Sequence, residues 1–370
     1  MDFKSLFRHG ILTTRPYEAG KPIEEVQREL GLPDVIKLAS NENPDGPLPE
    51  VIEAICRAAR DLNRYPDSSC YALTQALSSR LGVEPESLLL GNGSNEVVDI
   101  LIRALVSPGE NVVFAHPSFI VYALTTGVHF ETGRPVPLDA QDRHDLPAMA
   151  KAIDDRTKLV IVCNPNNPTG TYNDDASFGA FLKAVPERVI VAVDEAYYEY
   201  VTAPDYPQTL PLLKKHPNLV VLRTFSKIHS LAGLRLGYAV GHPGLIGELQ
   251  KTREPFNVNS LVQAAALACL RHWDRIAERA WHNRERMDWL QARLTELGLK
   301  VTPSQGNFLL VRCPGKANAI AGALLRRGVI VRPMGAFGLG DGALRISVGT
   351  PAENARCVAA LEGILEEIAR

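Results

Sequence analysis

A mostly parallel α/β sheet with helices on both faces, joined to a smaller α+β domain, is the fold class this 370-residue sequence predicts. Three observations predict it. Between about residues 50 and 240, short apolar runs such as Leu159-Val160-Ile161-Val162-Cys163 and Val189-Ile190-Val191-Ala192-Val193 lack polar alternation, as strands buried on both faces do. Helical patterns separate these runs, and strand–helix alternation favours parallel pairing through crossovers in three layers. From about Val262 the texture changes: an Arg- and Glu-rich, proline-free stretch with helical periodicity precedes short strands and two more helices.

The elements follow in chain order. Residues 1–45, rich in proline and glycine, are expected to form an irregular arm. Over residues 46–260, the large domain, strands are expected at Asn111–Ala115, Phe130–Val136, Leu159–Cys163, Val189–Val193, Leu219–Arg223 and Gly237–Val240. The helices between them are expected at Glu96–Val106, Ile120–Thr126, Asp145–Ile153, Asp174–Val185 and Leu210–Lys215. Residues 261–370 hold a single long linking helix, Val262–Leu297, and then the small domain. Its strands are expected at Asn307–Val311, Val329–Arg332 and Leu344–Val348, and its helices at Asn318–Arg327 and Pro351–Ile368.

Composition narrows the function. Apolar residues make up 45% of the chain, charged residues 22%, and the formal net charge is −2. That balance gives no electrostatic case for nucleic acid or for an anionic membrane. Six scattered cysteines without CxxC spacing read as reduced thiols, so a cytoplasmic protein is expected. No apolar run reaches the length of a signal peptide or a membrane span. The nine histidines are dispersed, and neither HExxH, GxSxG nor a Walker A loop occurs, so no metal is expected.

Chemistry collects where strands end, which is where open α/β sheets bind ligands. After the run Leu219–Leu222 comes Thr224-Phe225-Ser226-Lys227, with Arg235 eight positions further on. A lone lysine among apolar and small residues is a desolvated amine, and desolvation makes it a nucleophile. Amine plus guanidinium suits a carbonyl compound that carries a phosphate, and pyridoxal phosphate (PLP) is such a compound. Asp194 ends another apolar run; it either caps the next helix or faces a pyridinium nitrogen. Asn167, between Pro165 and Pro168, is either ordinary turn chemistry or a donor to a ring hydroxyl. Gly91-Asn92-Gly93-Ser94-Asn95-Glu96 opens a helix whose first amides favour a phosphate, although Glu96 stands where a dinucleotide fingerprint needs glycine.

Taken in order with Leu38-Ala39-Ser40-Asn41-Glu42-Asn43-Pro44, Asn63-Arg64-Tyr65-Pro66, Val331-Arg332-Pro333 and Leu344-Arg345-Ile346-Ser347-Val348-Gly349-Thr350, these motifs resemble the fold type I, PLP-dependent aminotransferases over essentially the whole chain. The resemblance implies that Lys227 carries the cofactor and moves the proton, while Asp194 pairs with the ring nitrogen. It implies that Asn167 and Tyr197 hold the ring hydroxyl and that Phe119, where relatives often have tyrosine, stacks on the ring. Gly93, Ser94, Asn95, Thr224, Ser226 and Arg235 would form the phosphate cup. Tyr65 would reach the cofactor phosphate of a neighbouring subunit, which implies a homodimer, with the arm packing on the small domain or on that subunit. Tyr17, Asn41, Arg332 and Arg345 are the implied substrate residues. Within the family the likeness is to the branch whose donor is L-histidinol phosphate and whose acceptor is 2-oxoglutarate. An aminotransferase for aromatic or other amino acids and a PLP-dependent decarboxylase of a phosphorylated amino acid are the alternatives.

Overall fold

The computed structural model describes residues 3–18, 20–129 and 132–369. Its strands are β1 (Ile36–Lys37), β2 (Leu88–Gly91), β3 (Asn111–His116), β4 (Gly133–Pro137), β5 (Thr157–Cys163), β6 (Ile190–Asp194), β7 (Leu219–Thr224), β8 (Gly237–Gly241), β9 (Lys300–Thr302), β10 (Phe308–Arg312), β11 (Val329–Ile330), β12 (Arg332–Pro333) and β13 (Ala343–Ser347). Seven of them make the main sheet, in the order β2-β8-β7-β6-β5-β3-β4. Strands β4, β3, β5, β6 and β7 run parallel, and β8 is antiparallel to both of its neighbours.

The missing polar alternation has a direct cause. Along β5, Val160 and Val162 enter the core beneath the helices Pro49–Ala58, Tyr71–Leu81 and Ser260–Arg271. Leu159 and Ile161 enter the opposite core, with Val97 and Leu101 of the helix Ser94–Leu105. Successive side chains therefore face two cores, so both parities must be apolar. Each of these side chains is fully buried, worth about 1.5–3 kcal/mol over the exposed state.

The small domain has an antiparallel sheet in the order β12-β13-β10-β9. The helices Trp273–Glu296, Ala317–Arg326 and Pro351–Ala369 pack on it through Leu290, Leu294, Ile320, Leu324, Leu361 and Ile364. The N-terminal segment belongs to this body. β1 pairs in parallel with β11, and Leu38 is buried in the same core as Leu309 and Ile346.

Four expectations are corrected. The single helix Val262–Leu297 is two, Ser260–Arg271 and Trp273–Glu296, separated at His272 (φ −110°, ψ 32°). The first buries Val262, Ala265 and Cys269 in the large-domain core, while the second buries Met287, Leu290 and Leu294 in the small-domain core. The second helix still places Ile276 in the large-domain core, so its stripe changes partner within the helix, between Ile276 and Met287. Second, the expected strand Val329–Arg332 divides at Val331, because β11 pairs with β1 and β12 with β13. Third, the arm is not irregular throughout: Ile23–Leu30 is a helix, with Glu24 and Glu25 in its first turn and Gly31 in the left-handed conformation after its end. Fourth, the strand expected from Phe130 starts at Gly133; Phe130 and Glu131 lie outside the described residues. No described helix is long and apolar enough to cross a membrane.

Candidate active site

The parallel strands β5, β6 and β7 deliver their carboxyl ends to one cavity of about 390 Å³, closed on the far side by β12, β13 and residues of the arm. Lys227 lies on its floor. Its Nζ donates to the carbonyl oxygens of Asn41 (3.3 Å) and Ser40 (3.5 Å). Burial, and then the positive charge of Arg345, push the amine down to about 8. Asp194, the last residue of β6, is 2% exposed, and burial raises its carboxyl above the usual range. Opposing that, the Tyr122 hydroxyl donates to Oδ2 at 2.6 Å and the Ala196 amide to Oδ1 at 3.2 Å.

Asn167 and Tyr197 line the cavity beside them, and both are tied to the small-domain side. Arg345 Nη1 donates to Asn167 Oδ1 at 2.6 Å, and Asn41 Nδ2 donates to the Tyr197 hydroxyl at 2.9 Å. Asn41 is itself held by Ser347, whose Oγ accepts from the Asn41 amide at 2.8 Å and donates to Oδ1 at 3.2 Å. Its amide group is thus engaged with protein partners, although the residue was expected among the substrate contacts. Phe119 also lines the cavity and meets Tyr122 edge-on at 5.6 Å.

At one end the cavity becomes an anion cup. The helix Ser94–Leu105 starts after Gly93, whose φ is +83°. A Cβ on Gly93 would lie 2.1 Å from Arg235 Nη2, and one on Gly237 would lie 2.2 Å from the Ser94 amide nitrogen. Two glycines therefore let the helix start, β8 and the arginine come together. Glu96 Oε2 accepts from the Asn92 amide at 2.5 Å, which fixes the turn before the helix. Ser94, Asn95, Thr224, Ser226 and Arg235 line this end, and Arg235 Nη1 donates to Ser226 Oγ at 3.3 Å. A helix N-terminus beside a guanidinium and two hydroxyls suits a phosphate.

The other end is basic for a different reason. In the β12–β13 register Arg332 stands opposite Arg345, so two guanidinium groups reach one cavity from neighbouring strands. Arg345 is 5% exposed and its Nη2 donates to the Ala39 carbonyl at 2.8 Å, yet its buried Nε has no partner. Burial pushes its guanidinium down to about 10. Arg332 donates to the Glu18 carbonyl, with its guanidinium carbon 5.4 Å from the Phe337 ring centroid and 6.0 Å from that of Tyr17. A buried, unpartnered Arg N–H beside a second arginine suits a carboxylate or phosphate ligand.

Two expected site residues do not line this cavity: Gly93, which sits just behind the helix start, and Tyr65. Tyr65 is 81% exposed and stacks on Phe256 with centroids 4.6 Å apart. Two residues were missed: Phe337, which sits between the substrate-end arginines, and Tyr122. Tyr122 lies in the first turn of the helix Val121–Val128, where an aromatic residue reads first as core. Phe337 had no readable signal either, being brought in by the short 3-10 turn Gly335–Phe337. Among the described residues no cluster of His, Cys, Asp or Glu could hold a metal ion.

The donor set fits pyridoxal phosphate. It offers a desolvated amine for the aldehyde, a buried carboxylate for the ring nitrogen, two groups for the ring hydroxyl and an anion cup for the phosphate.

Comparison with known proteins agrees with this geometry. The family model described as aminotransferase class I and II matches residues 33–361. A histidinol-phosphate aminotransferase of Moorella thermoacetica is 46% identical over 97% of this chain and 92% of its own length. One from Nitrosococcus oceani is 44% identical over 99% and 98%. The crystal structure of histidinol-phosphate aminotransferase from Sinorhizobium meliloti in complex with pyridoxal-5'-phosphate superposes with a TM-score of 0.89 at 29% identity, over 98% of both chains.

Proposed function

The chain belongs to the class I and II aminotransferase family, and from that premise we propose that it moves the amino group of L-histidinol phosphate to 2-oxoglutarate, giving imidazole acetol phosphate and L-glutamate in histidine biosynthesis. The observation that carries this reading is the pairing of Arg332 with Arg345 across β12 and β13. Histidinol phosphate has no carboxylate, so its recognition needs a cation placed for a phosphate. The second substrate does have carboxylates, and two arginines in one cavity serve both.

Bound pyridoxal phosphate supplies an electrophilic carbon for the donor nitrogen and a protonated ring that draws off electrons. The lining of the cavity supports this division of labour among the protein's residues. Asp194 would hold the ring nitrogen in its charged form. Asn167 and Tyr197 would orient the ring through its hydroxyl, and Phe119 would stack on the ring. Ser94, Asn95, Thr224, Ser226, Arg235 and the Gly93 turn bind the phosphate. Lys227 Nζ would hold the cofactor's aldehyde carbon and, as an amine, would move the proton of the donor's amine-bearing carbon. A lowered amine pKa suits that task, because the group must be neutral to accept the proton. Tyr17 and Phe337 flank Arg332 at the substrate end.

The same reading divides the chain into an arm (1–45), a large domain (46–260) and a linking and small domain (261–370); the two separate hydrophobic cores support it. It takes the enzyme to be a cytoplasmic homodimer. All six cysteines are free thiols, which supports a reducing compartment. Leu62, Tyr65, Tyr71 and Phe256 are exposed, and Tyr65 stacks on Phe256, the kind of apolar surface a partner subunit covers.

Steady-state rates with 2-oxoglutarate and a panel of histidinol phosphate, phenylalanine, tyrosine and aspartate test the assignment. Histidinol phosphate is expected to have the highest kcat/KM, and Arg332→Ala to lower it about 100-fold while lowering that of phenylalanine less than tenfold. A higher kcat/KM for an aromatic amino acid would identify an aromatic aminotransferase. Carbon dioxide release without use of 2-oxoglutarate would identify a decarboxylase.

A further inference from the structure

We infer that Tyr122 is a positioning residue that decides where the ring-nitrogen proton sits: by donating its hydroxyl to Asp194 Oδ2, it keeps that carboxylate anionic and leaves the proton on the cofactor ring. The inference rests on the cofactor reading above and adds a residue to it. Asp194 is buried at the end of β6, where desolvation favours its neutral form. A neutral Asp194 would leave the ring nitrogen without its proton, and an unprotonated ring is a poor electron sink. Some group must hold the negative charge, and the structure provides one at short range. The Tyr122 hydroxyl lies 2.6 Å from Oδ2, within the range of a charge-assisted O–H···O⁻ bond.

The donor is fixed rather than adaptable. Tyr122 is completely buried, its ring held by Phe119 at 5.6 Å and Phe114 at 6.3 Å. Its hydroxyl cannot act as a base, because burial and the Asp194 charge hold its ionisation far above the usual phenol range. The other titratable groups facing this pair do not replace it. The Cys163 thiol of β5 is pushed up to about 12 and stays neutral, and Lys227 acts on Asp194 through charge alone. One short segment thus sets both faces of the cofactor chemistry. Phe119 lies against the cavity, and Tyr122, three residues later in the first turn of the helix Val121–Val128, reaches the carboxylate.

The test is Tyr122→Phe, which keeps the ring and its packing and removes only the donor. Holoprotein is prepared with cofactor labelled with ¹⁵N in the ring, and three quantities are read: the ring ¹⁵N shift, the pH midpoint of the bound cofactor's visible absorbance, and kcat and KM. The ¹⁵N signal is expected to move toward the unprotonated-pyridine position and the midpoint to rise by about half a unit or more. The turnover number is expected to fall about tenfold with little change in donor KM. A ring ¹⁵N shift and a midpoint both equal to the parent's would overturn the inference. Where the variant gives no soluble holoprotein, 3-fluorotyrosine at position 122 supplies a stronger donor of the same shape. It is expected to move the midpoint downward, and an unchanged midpoint there is equally fatal. Failure of the parent protein to develop a visible band would sink the cofactor reading instead, so the two failures are distinguishable.

Discussion

Burial brings the Lys227 amine down to about 8, and the neighbouring Arg345 charge adds to the shift. The sign of the consequence is clear. Below that value the amine is protonated and cannot attack the cofactor aldehyde, and its neutral fraction rises about tenfold per pH unit. The rate at which apoprotein takes up pyridoxal phosphate, followed by the visible band, is expected to rise about tenfold between pH 6 and 7 and to level off above about 8. In Arg345→Gln one like charge is gone, the charged amine becomes less unfavourable, and the midpoint is expected to move up. A midpoint that stays put or falls would remove Arg345 from the electrostatics of the lysine. The lysine was legible in the sequence because an isolated charge among apolar neighbours after a strand is conspicuous. Tyr122 was not singled out, because an aromatic residue at helical spacing reads first as core. Nothing in one strand of sequence shows that its hydroxyl points at a carboxylate 72 positions away.

The decisive element is the start of the helix Ser94–Leu105, where β8 and the helix meet backbone to backbone. At Gly237 an added Cβ would fall 2.2 Å from the Ser94 nitrogen, and neither main chain can yield without moving the anion cup. Gly237→Ala is expected to weaken pyridoxal phosphate binding at least about tenfold and to cost about 1–3 kcal/mol of stability through overpacking. Gly247→Ala is the control. Gly247 lies inside the helix Pro243–Leu249, with nothing within 4 Å of its would-be Cβ, so a gain of up to about 1 kcal/mol is expected. Cofactor titration and thermal unfolding of both variants read the difference; tight cofactor binding by Gly237→Ala would refute the argument. Strands and helices of this sheet were legible because both-face burial leaves long apolar runs. The break at His272 was not, since no proline or glycine marks it and both helices share one periodic pattern, with Ile276 continuing in the core that Val262 and Cys269 enter.

At the scale of the whole molecule, the cavity draws on all parts of the chain, with the arm and the small domain forming its roof. Tyr65 falls outside it, 81% exposed and resting on Phe256. Phe256 precedes Asn257, whose Nδ2 donates to Glu96 Oε2 at 2.6 Å at the helix start that forms the cup. The exposed aromatic pair therefore stands next to the phosphate end of the site without entering it. Such a surface gains a role when a second copy covers it, and two-fold pairing makes any such contribution mutual. Subunit mixing tests this. Lys227→Ala removes the anchor from its own cavity, and Tyr65→Ala is expected to weaken cofactor binding about tenfold by removing a phosphate contact from the partner's cavity. In a hybrid dimer of the two variants, one cavity carries both defects. The other has an intact lysine from one chain and an intact tyrosine from its partner. Cofactor affinity of the parent kind, at one site per hybrid dimer, is the expected result. Were Tyr65 to serve its own chain, every lysine-containing site in the hybrid would keep the weakened affinity, and no tight site would appear.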